Sequence, residues 1–252
     1  MLVTAMILAT LLPCVQYAQS HAQDSMADGH EKRVMQAKGL TEEWESAVEY
    51  NRRLPSQTVE GDGMDDKDYM SQLDNPADGI MSTIEYPRLG IRLPVRHGST
   101  KSVLAAGAGH LYGSSLPVGG KNTRTVITAH RGGVDKPLFT RLGEARKGDV
   151  FYLTTLDRTL AYKVTDIRTV LPSQADRLKP VKGRDMATLL TCTPYGVNTH
   201  RLLVTGIRAP MPQAAPLPQD APKDRLPLIA VGTLAVGWTA VIVRIIKVRK
   251  RR

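Results

Sequence analysis

Cys192 lies in the run Thr188-Leu-Leu-Thr-Cys-Thr-Pro-Tyr-Gly196, with His130 upstream in Thr125-Val-Ile-Thr-Ala-His-Arg-Gly132 and Arg201 downstream in Asn198-Thr-His-Arg-Leu-Leu-Val204. Each of the three sits at or near the end of a short run of β-forming residues. A thiol needs a base or a counter-charge to react at neutral pH, and imidazole supplies either. A nearby guanidinium can hold a carbonyl oxygen as it becomes an oxyanion. This set reads as a cysteine acyl-transfer site. A lone cysteine is ordinarily a small buried hydrophobe, but the residues around Cys192 argue for chemistry. The chain has 2 cysteines. Cys14 lies in an apolar N-terminal segment, so no disulfide framework is expected and Cys192 is read as a free thiol.

The elements that must position these residues begin near residue 78. Short β-type runs alternate there with Gly, Pro, Asn and Asp turns: Ile80–Tyr86, Gly90–Val95, Thr125–Thr128, Asp149–Thr154, Ala161–Leu171, Ala187–Thr191 and Arg201–Arg208. Regularly spaced short strands of this kind predict a mainly β fold, a closed or nearly closed barrel over 78–209. Residues 23–77 form a polar arm of helical character and a following loop. Thr41 is expected to cap a helix, with Glu42 and Glu43 in its first turn and Trp44, Val48 and Leu54 as a thin apolar stripe. Gly61–Asp68 is acidic and rich in breakers, hence a loop; its aspartates lack the spacing of an EF-hand, so calcium binding is not expected.

Both ends of the chain carry membrane-type segments. Residues 1–17 are apolar without a basic start, and read as a signal-anchor or signal segment, with cleavage after Ala22 as the alternative. Residues 210–225 are proline- and alanine-rich, an extended linker. Leu226–Val243 is an uncharged run of 18 residues, roughly 27 Å as a helix, enough for a bilayer core. The tail 244–252 is densely basic and is expected in the cytoplasm, leaving the barrel outside. Of the net charge of +10, six positives are Arg244, Lys247, Arg249, Lys250, Arg251 and Arg252, leaving +4 for the rest. The basic pI is largely a tail effect and gives no argument for a nucleic-acid partner.

Six histidines compete for the catalytic place. His21 and His30 lie in the polar arm, His97 precedes a glycine at a strand end, and His110 sits in a glycine-flanked loop with a structural hydrogen bond as its simplest reading. Alternation along a strand keeps His200 and Arg201 from sharing a face, but by itself it leaves His130 and His200 nearly level. Thr191 and Thr193 flank the cysteine. They either fit a strand as β-branched residues or bind substrate. The segment Leu171–Asp185 has a suitable length to wall a groove.

With these motifs in hand, the chain resembles the sortases, and specifically class C, the pilin-polymerising class. The Thr-Leu-Leu-Thr-Cys-Thr-Pro-Tyr-Gly run resembles the family's cysteine signature with the class C extension, and Asn198-Thr-His-Arg201 continues it with the family arginine. Gly109–Gly120 and Thr128-Ala-His-Arg-Gly132 resemble the segments that lead to and contain the family histidine. The resemblance covers about residues 78–208 and implies a sortase-type β-barrel with short helices, preceded by a helical arm and flanked by membrane segments. It decides for His130 and assigns Cys192, His130 and Arg201 as catalytic, with Thr191 and Thr193 as candidate substrate contacts. No cofactor or metal is implied. The implied partners are a Leu-Pro-x-Thr-Gly-like (LPxTG-like) sorting signal on a pilin or surface protein and an amine acceptor, either a pilin lysine or a lipid-linked cell-wall peptide. An alternative from another class is a membrane-tethered barrel that binds without catalysis. One class C feature is missing: the sequence contains no Asp-Pro dipeptide, so residues 55–75 occupy the place of the lid without its Asp-Pro-aromatic motif. Cys192 is therefore expected to be more accessible than in a lidded relative, and trimming residues 23–75 to raise its alkylation only slightly, unless Gly61–Tyr69 covers the site with Asp65 or Asp66 facing Arg201.

Overall fold

A computed structural model describes residues 2–54, 61–75, 77–132, 137–174 and 178–211, with side chains in the first twenty residues described at 15, 18 and 19. Eight strands are present: β1 (Ser82–Tyr86), β2 (Ile91–His97), β3 (Ala108–His110), β4 (Thr123–Thr128), β5 (Val150–Thr155), β6 (Arg158–Val170), β7 (Asp185–Thr193) and β8 (His200–Ala209). They close into a barrel in the order β1-β2-β3-β4-β7-β8-β6-β5. The expected runs each contain one of these strands, displaced by a few residues at the ends. β3 is the exception. It lies in the glycine-rich segment that reads as a loop, and it becomes a strand because β2 pairs with it on one side and β4 on the other. The β2–β3 pairing is parallel and so requires a crossover. The helix Lys101–Ala106 supplies it, capped by Thr100, whose side chain accepts from the Val103 amide.

Alternation along the strands fills the barrel. Ile84, Leu93, Ile127, Phe151, Leu153, Leu189 and Val204 are buried together. On β4, β7 and β8 the inward set includes Ile127 and Ala129, Ala187 and Leu189, and Leu202 and Val204. The intervening residues point to the outside of the wall.

The polar arm is helical but is not an appendage. Helix α1 (Leu2–Val34) runs without a break through residues 17 and 22, and is followed by α2 (Leu40–Arg53) and the short α3 (Lys67–Ser71). The cap of α2 is Gly39 in the left-handed region (φ 78°), not Thr41. The helix starts two residues earlier than expected and Thr41 falls inside it. Glu42 and Glu43 do occupy the first turn, and Trp44, Val48 and Leu54 pack on the core. Asp66 ends the acidic loop by capping α3, accepting from the amides of Asp68 and Tyr69. Charge docks α1 on the barrel: Arg92 reaches Asp28 and Glu31 on α1 and Glu85 on β1. His30, in the polar arm, is buried, with its Nδ1 3.1 Å from Asp78, which also pairs with Arg33.

Ala47, Tyr50, Tyr69 and Leu73 belong to the same apolar core as the barrel residues. Tyr69 is fully buried, its hydroxyl 2.9 Å from His110 Nδ1 and accepting from the Gly98 amide. Trimming residues 23–75 would open this core, so alkylation of a trimmed chain would report lost packing as well as a removed cover. Asp66 does not face Arg201; it accepts a hydrogen bond of 2.6 Å from Tyr112. The β-carbon that Gly63 lacks would fall inside the Tyr112 ring, which fixes how closely this loop approaches. Residues 55–60, the remaining part of the lid region, lie outside the described residues, as do the linker beyond Met211, the segment Leu226–Val243 and the basic tail. Among the described residues no helix is long and apolar enough to cross a membrane.

Candidate active site

Cys192 lies near the end of β7, between the neighbouring strands β4 and β8. The β7–β8 pairing is antiparallel and sets Cys192 directly opposite Arg201. Opposite residues of such a pair share a face, with Cβ atoms about 5 Å apart. The β4–β7 pairing is parallel and ends with Thr128 beside Leu190. The Ala129 amide still donates to the Leu190 carbonyl at 3.2 Å, so the register carries on and places His130 beside Cys192. The three residues therefore form one line across three adjacent strands, with the thiol in the middle.

Their common face is the outer one, since Ala129, Leu189 and Leu202 turn inward. Its solvent access follows: His130 is exposed, and Cys192 and Arg201 are half-buried. Cys192 is a free thiol. Arg201 Nη1 donates to the carbonyls of Asn198 and His200, both at 3.1 Å, which folds the β7–β8 turn against the guanidinium. A thiol flanked by an imidazole on one side and a guanidinium on the other can hold an acyl carbon between a proton carrier and an oxyanion donor.

The remaining histidines are placed elsewhere. His200 pairs with Thr193, one step past the cysteine and on the opposite face, and its Nδ1 lies 2.9 Å from Thr199 Oγ1. Strand register, not proximity in sequence, separates His130 from His200. His110 is fully buried; its Nε2 lies 2.9 Å from the Ser115 carbonyl, and burial pushes its pKa down to about 4. His97 is buried with Nε2 2.7 Å from the Gln72 carbonyl, and desolvation lowers its pKa also. Both work as neutral struts between the barrel and the arm.

Thr191 and Thr193 turn to the inner face, away from the cysteine. The Thr191 hydroxyl is buried and donates to the Ala129 carbonyl at 2.8 Å. Thr193 Oγ1 accepts from Arg131 Nη1 at 2.6 Å. Alternation on β7 engages both hydroxyls with partners in the wall. Arg131 is the residue that sequence reasoning passed over. Its signal was the His-Arg-Gly order, which names the residue but not its partner 62 positions away.

An eight-stranded barrel with a cysteine, a histidine and an arginine aligned on its outer wall defines a class of cysteine acyl-transfer proteins. The profile of the sortase domain matches residues 84–209. Sortase C-1 from Actinomyces oris is 43% identical, with a TM-score of 0.65 over 69% of this chain and 100% of that one. Sortase C from Streptococcus pneumoniae, whose structure is described in terms of catalysis and pilin substrate specificity, is 40% identical, with a TM-score of 0.68 over 77% and 100%. The chain belongs to the sortase family of cysteine transpeptidases. A curated relative, Sortase A of Streptococcus agalactiae serotype III, is 31% identical over 128 residues, 50% of this chain and 51% of the relative. The chain thus spans about half the length of that relative.

Proposed function

We propose that this chain is a membrane-anchored sortase of the pilin-polymerising class, with Cys192 as nucleophile, His130 as proton carrier and Arg201 as oxyanion donor. The observation that carries this reading is the single line of these three side chains across β4, β7 and β8. The Cys192 thiolate attacks the threonyl carbonyl of an LPxTG-like signal, and the oxyanion forms on the Arg201 side. As the Thr–Gly bond breaks, His130 gives its proton to the departing glycine amine, leaving a thioester on Cys192. An incoming amine then attacks the thioester, His130 takes up the amine's proton, and the thiolate departs as the new amide forms. Exposed Leu171 and Val197 near Arg201 suit the apolar part of the signal.

Class C assignment draws support from the solved sortase C structures at 40% identity and above. A cell-wall acceptor is the second reading, favoured by the curated relatives that carry the name Sortase A. The full chain in detergent, mixed with a sorting-signal peptide and either a lysine-bearing pilin or a lipid-linked cell-wall peptide, tests both by mass spectrometry. The expected result is a thioacyl adduct on Cys192 and an isopeptide product with the pilin lysine. Product with the cell-wall peptide alone would move the assignment to surface-protein anchoring. Absence of any adduct would leave a binding barrel.

The anchoring proposal rests on Leu226–Val243 and the basic residues after it. Protease added to intact protoplasts is expected to remove the barrel and spare an epitope placed after Arg252. Digestion of that epitope would reverse the orientation.

A further inference from the structure

The backbone ladder between β4 and β7 stops at the Thr128–Leu190 pair, yet His130 and Cys192 lie beyond it. Two side-chain hydrogen bonds continue the same spacing of 62 residues: Thr191 Oγ1 to the Ala129 carbonyl, and Arg131 Nη1 to Thr193 Oγ1. The His130–Cys192 pair falls between these two ties. Both ties lie on the inner face and leave the outer face open to substrate. Arg131 is also held from behind. It bridges to Leu138, where the chain returns from the loop after His130, and the Phe139 amide donates to the His130 carbonyl at 3.0 Å. A β-carbon on Gly143 would lie 2.5 Å from Arg131 Nη2, so the guanidinium packs directly against this glycine. The Arg131 Nε is buried without a hydrogen-bond partner among the described residues, which a loosely held surface arginine would avoid by turning to water. On the outer side the ring of Tyr195, itself 58% exposed, occupies the space a β-carbon on Gly132 would need. The segments after the histidine and after the cysteine therefore touch twice, once on each face.

Resting on the acyl-transfer reading above, we propose that Arg131 is a positioning residue, which grips Thr193 and thereby keeps Cys192 in register with His130 past the end of the sheet. Without it the strand ends lose the inner-face tie beyond Thr191, and a displacement of about 1 Å at reacting groups can cost on the order of a hundredfold in rate. Arg131 acts through Thr193, its side-chain partner.

The test uses the full chain in detergent in a Cys14→Ala background, so that alkylation reports Cys192 alone. Arg131→Met removes the donor and keeps the stem; Thr193→Val removes the acceptor at similar volume; the double variant removes both; Thr193→Ser keeps an acceptor. Acyl-transfer kcat and KM and the pH profile of iodoacetamide alkylation are measured for each. Each single variant is expected to lower kcat by about tenfold or more with KM within about twofold. The double variant should lose no more than a single one, because both delete one shared contact. Thr193→Ser should restore kcat, and the alkylation profiles of the defective variants should move towards that of His130→Ala. Additive losses, a change confined to KM, or alkylation profiles that superpose on the wild type would each overturn the proposal. A wild-type chain that transfers no acyl group would defeat the functional reading instead, and the alkylation profiles would still decide the role of Arg131.

Discussion

Cys192→Ala is expected to abolish acyl transfer and leave the barrel folded. The side chain is small and half-buried on the outer wall, and the core beneath it is built by Ala129, Leu189 and Leu202. Losing one sulfur there leaves no apolar cavity of the kind that destabilises a core. The reaction has no other route among the described residues, since Cys192 is the free thiol placed between the imidazole and the guanidinium. A triad stripped of its nucleophile retains only what binding and oxyanion stabilisation provide, and neither forms a covalent acyl bond. The checks are the thioacyl mass in single turnover and the thermal unfolding midpoint. A variant with a wild-type midpoint and no adduct fits the mechanism. Transpeptidation at more than a trace level in that variant would refute covalent catalysis by Cys192.

Arg201→Lys is the second large effect, and the reason lies in the geometry of the guanidinium. Arg201 already donates through Nη1 to the Asn198 and His200 carbonyls at 3.1 Å, while the rest of its planar fork points from the same anchor. A lysine ammonium has three donors on one atom and cannot hold the turn and reach an oxyanion in two directions at once. The expected loss in kcat is on the order of 100–1,000-fold, the usual result of removing one oxyanion donor. KM is expected to change less, because the contact strengthens as charge develops. Steady-state kinetics with a sorting-signal peptide measure it. Turnover within a few-fold of the wild type would show that a positive charge near the thiol is sufficient and that no directed donor is used.

The arm and the barrel behave as one folding unit, which has a consequence for handling the protein. Tyr69 and Leu73 from the arm and Ile84 and Leu93 from the barrel share a core, and His110 joins the two halves through Tyr69. A truncation that begins at the family-matched segment removes buried side chains as large as tyrosine. Deleting a buried aromatic typically costs about 3–5 kcal/mol, a large fraction of the stability of a domain. The acidic loop is fixed on Tyr112 through Asp66, and no residue of its described part is bonded to Arg201.

Much of this molecule was legible in the sequence. Short runs of β-branched and apolar residues, set between Gly, Pro, Asn and Asp turns, mark β4, β7 and β8. Three residue types with acyl-transfer chemistry mark Cys192, His130 and Arg201, and their motifs lead to the sortase family. Local signals failed where a neighbour overrode them. Gly39 took the cap that Thr41 could have made, and β3 formed in a glycine-rich stretch because two strands flank it. What the sequence determined by itself was the chemistry available and the strands that carry it. Only the tertiary structure decided which side chains share a face. The parallel register of β4 with β7 and the antiparallel register of β8 with β7 bring His130 and Arg201 to either side of the thiol and send His200, Thr191 and Thr193 to the other face. Register is a property of pairs of strands far apart in the chain, and a shift of one residue would invert every assignment.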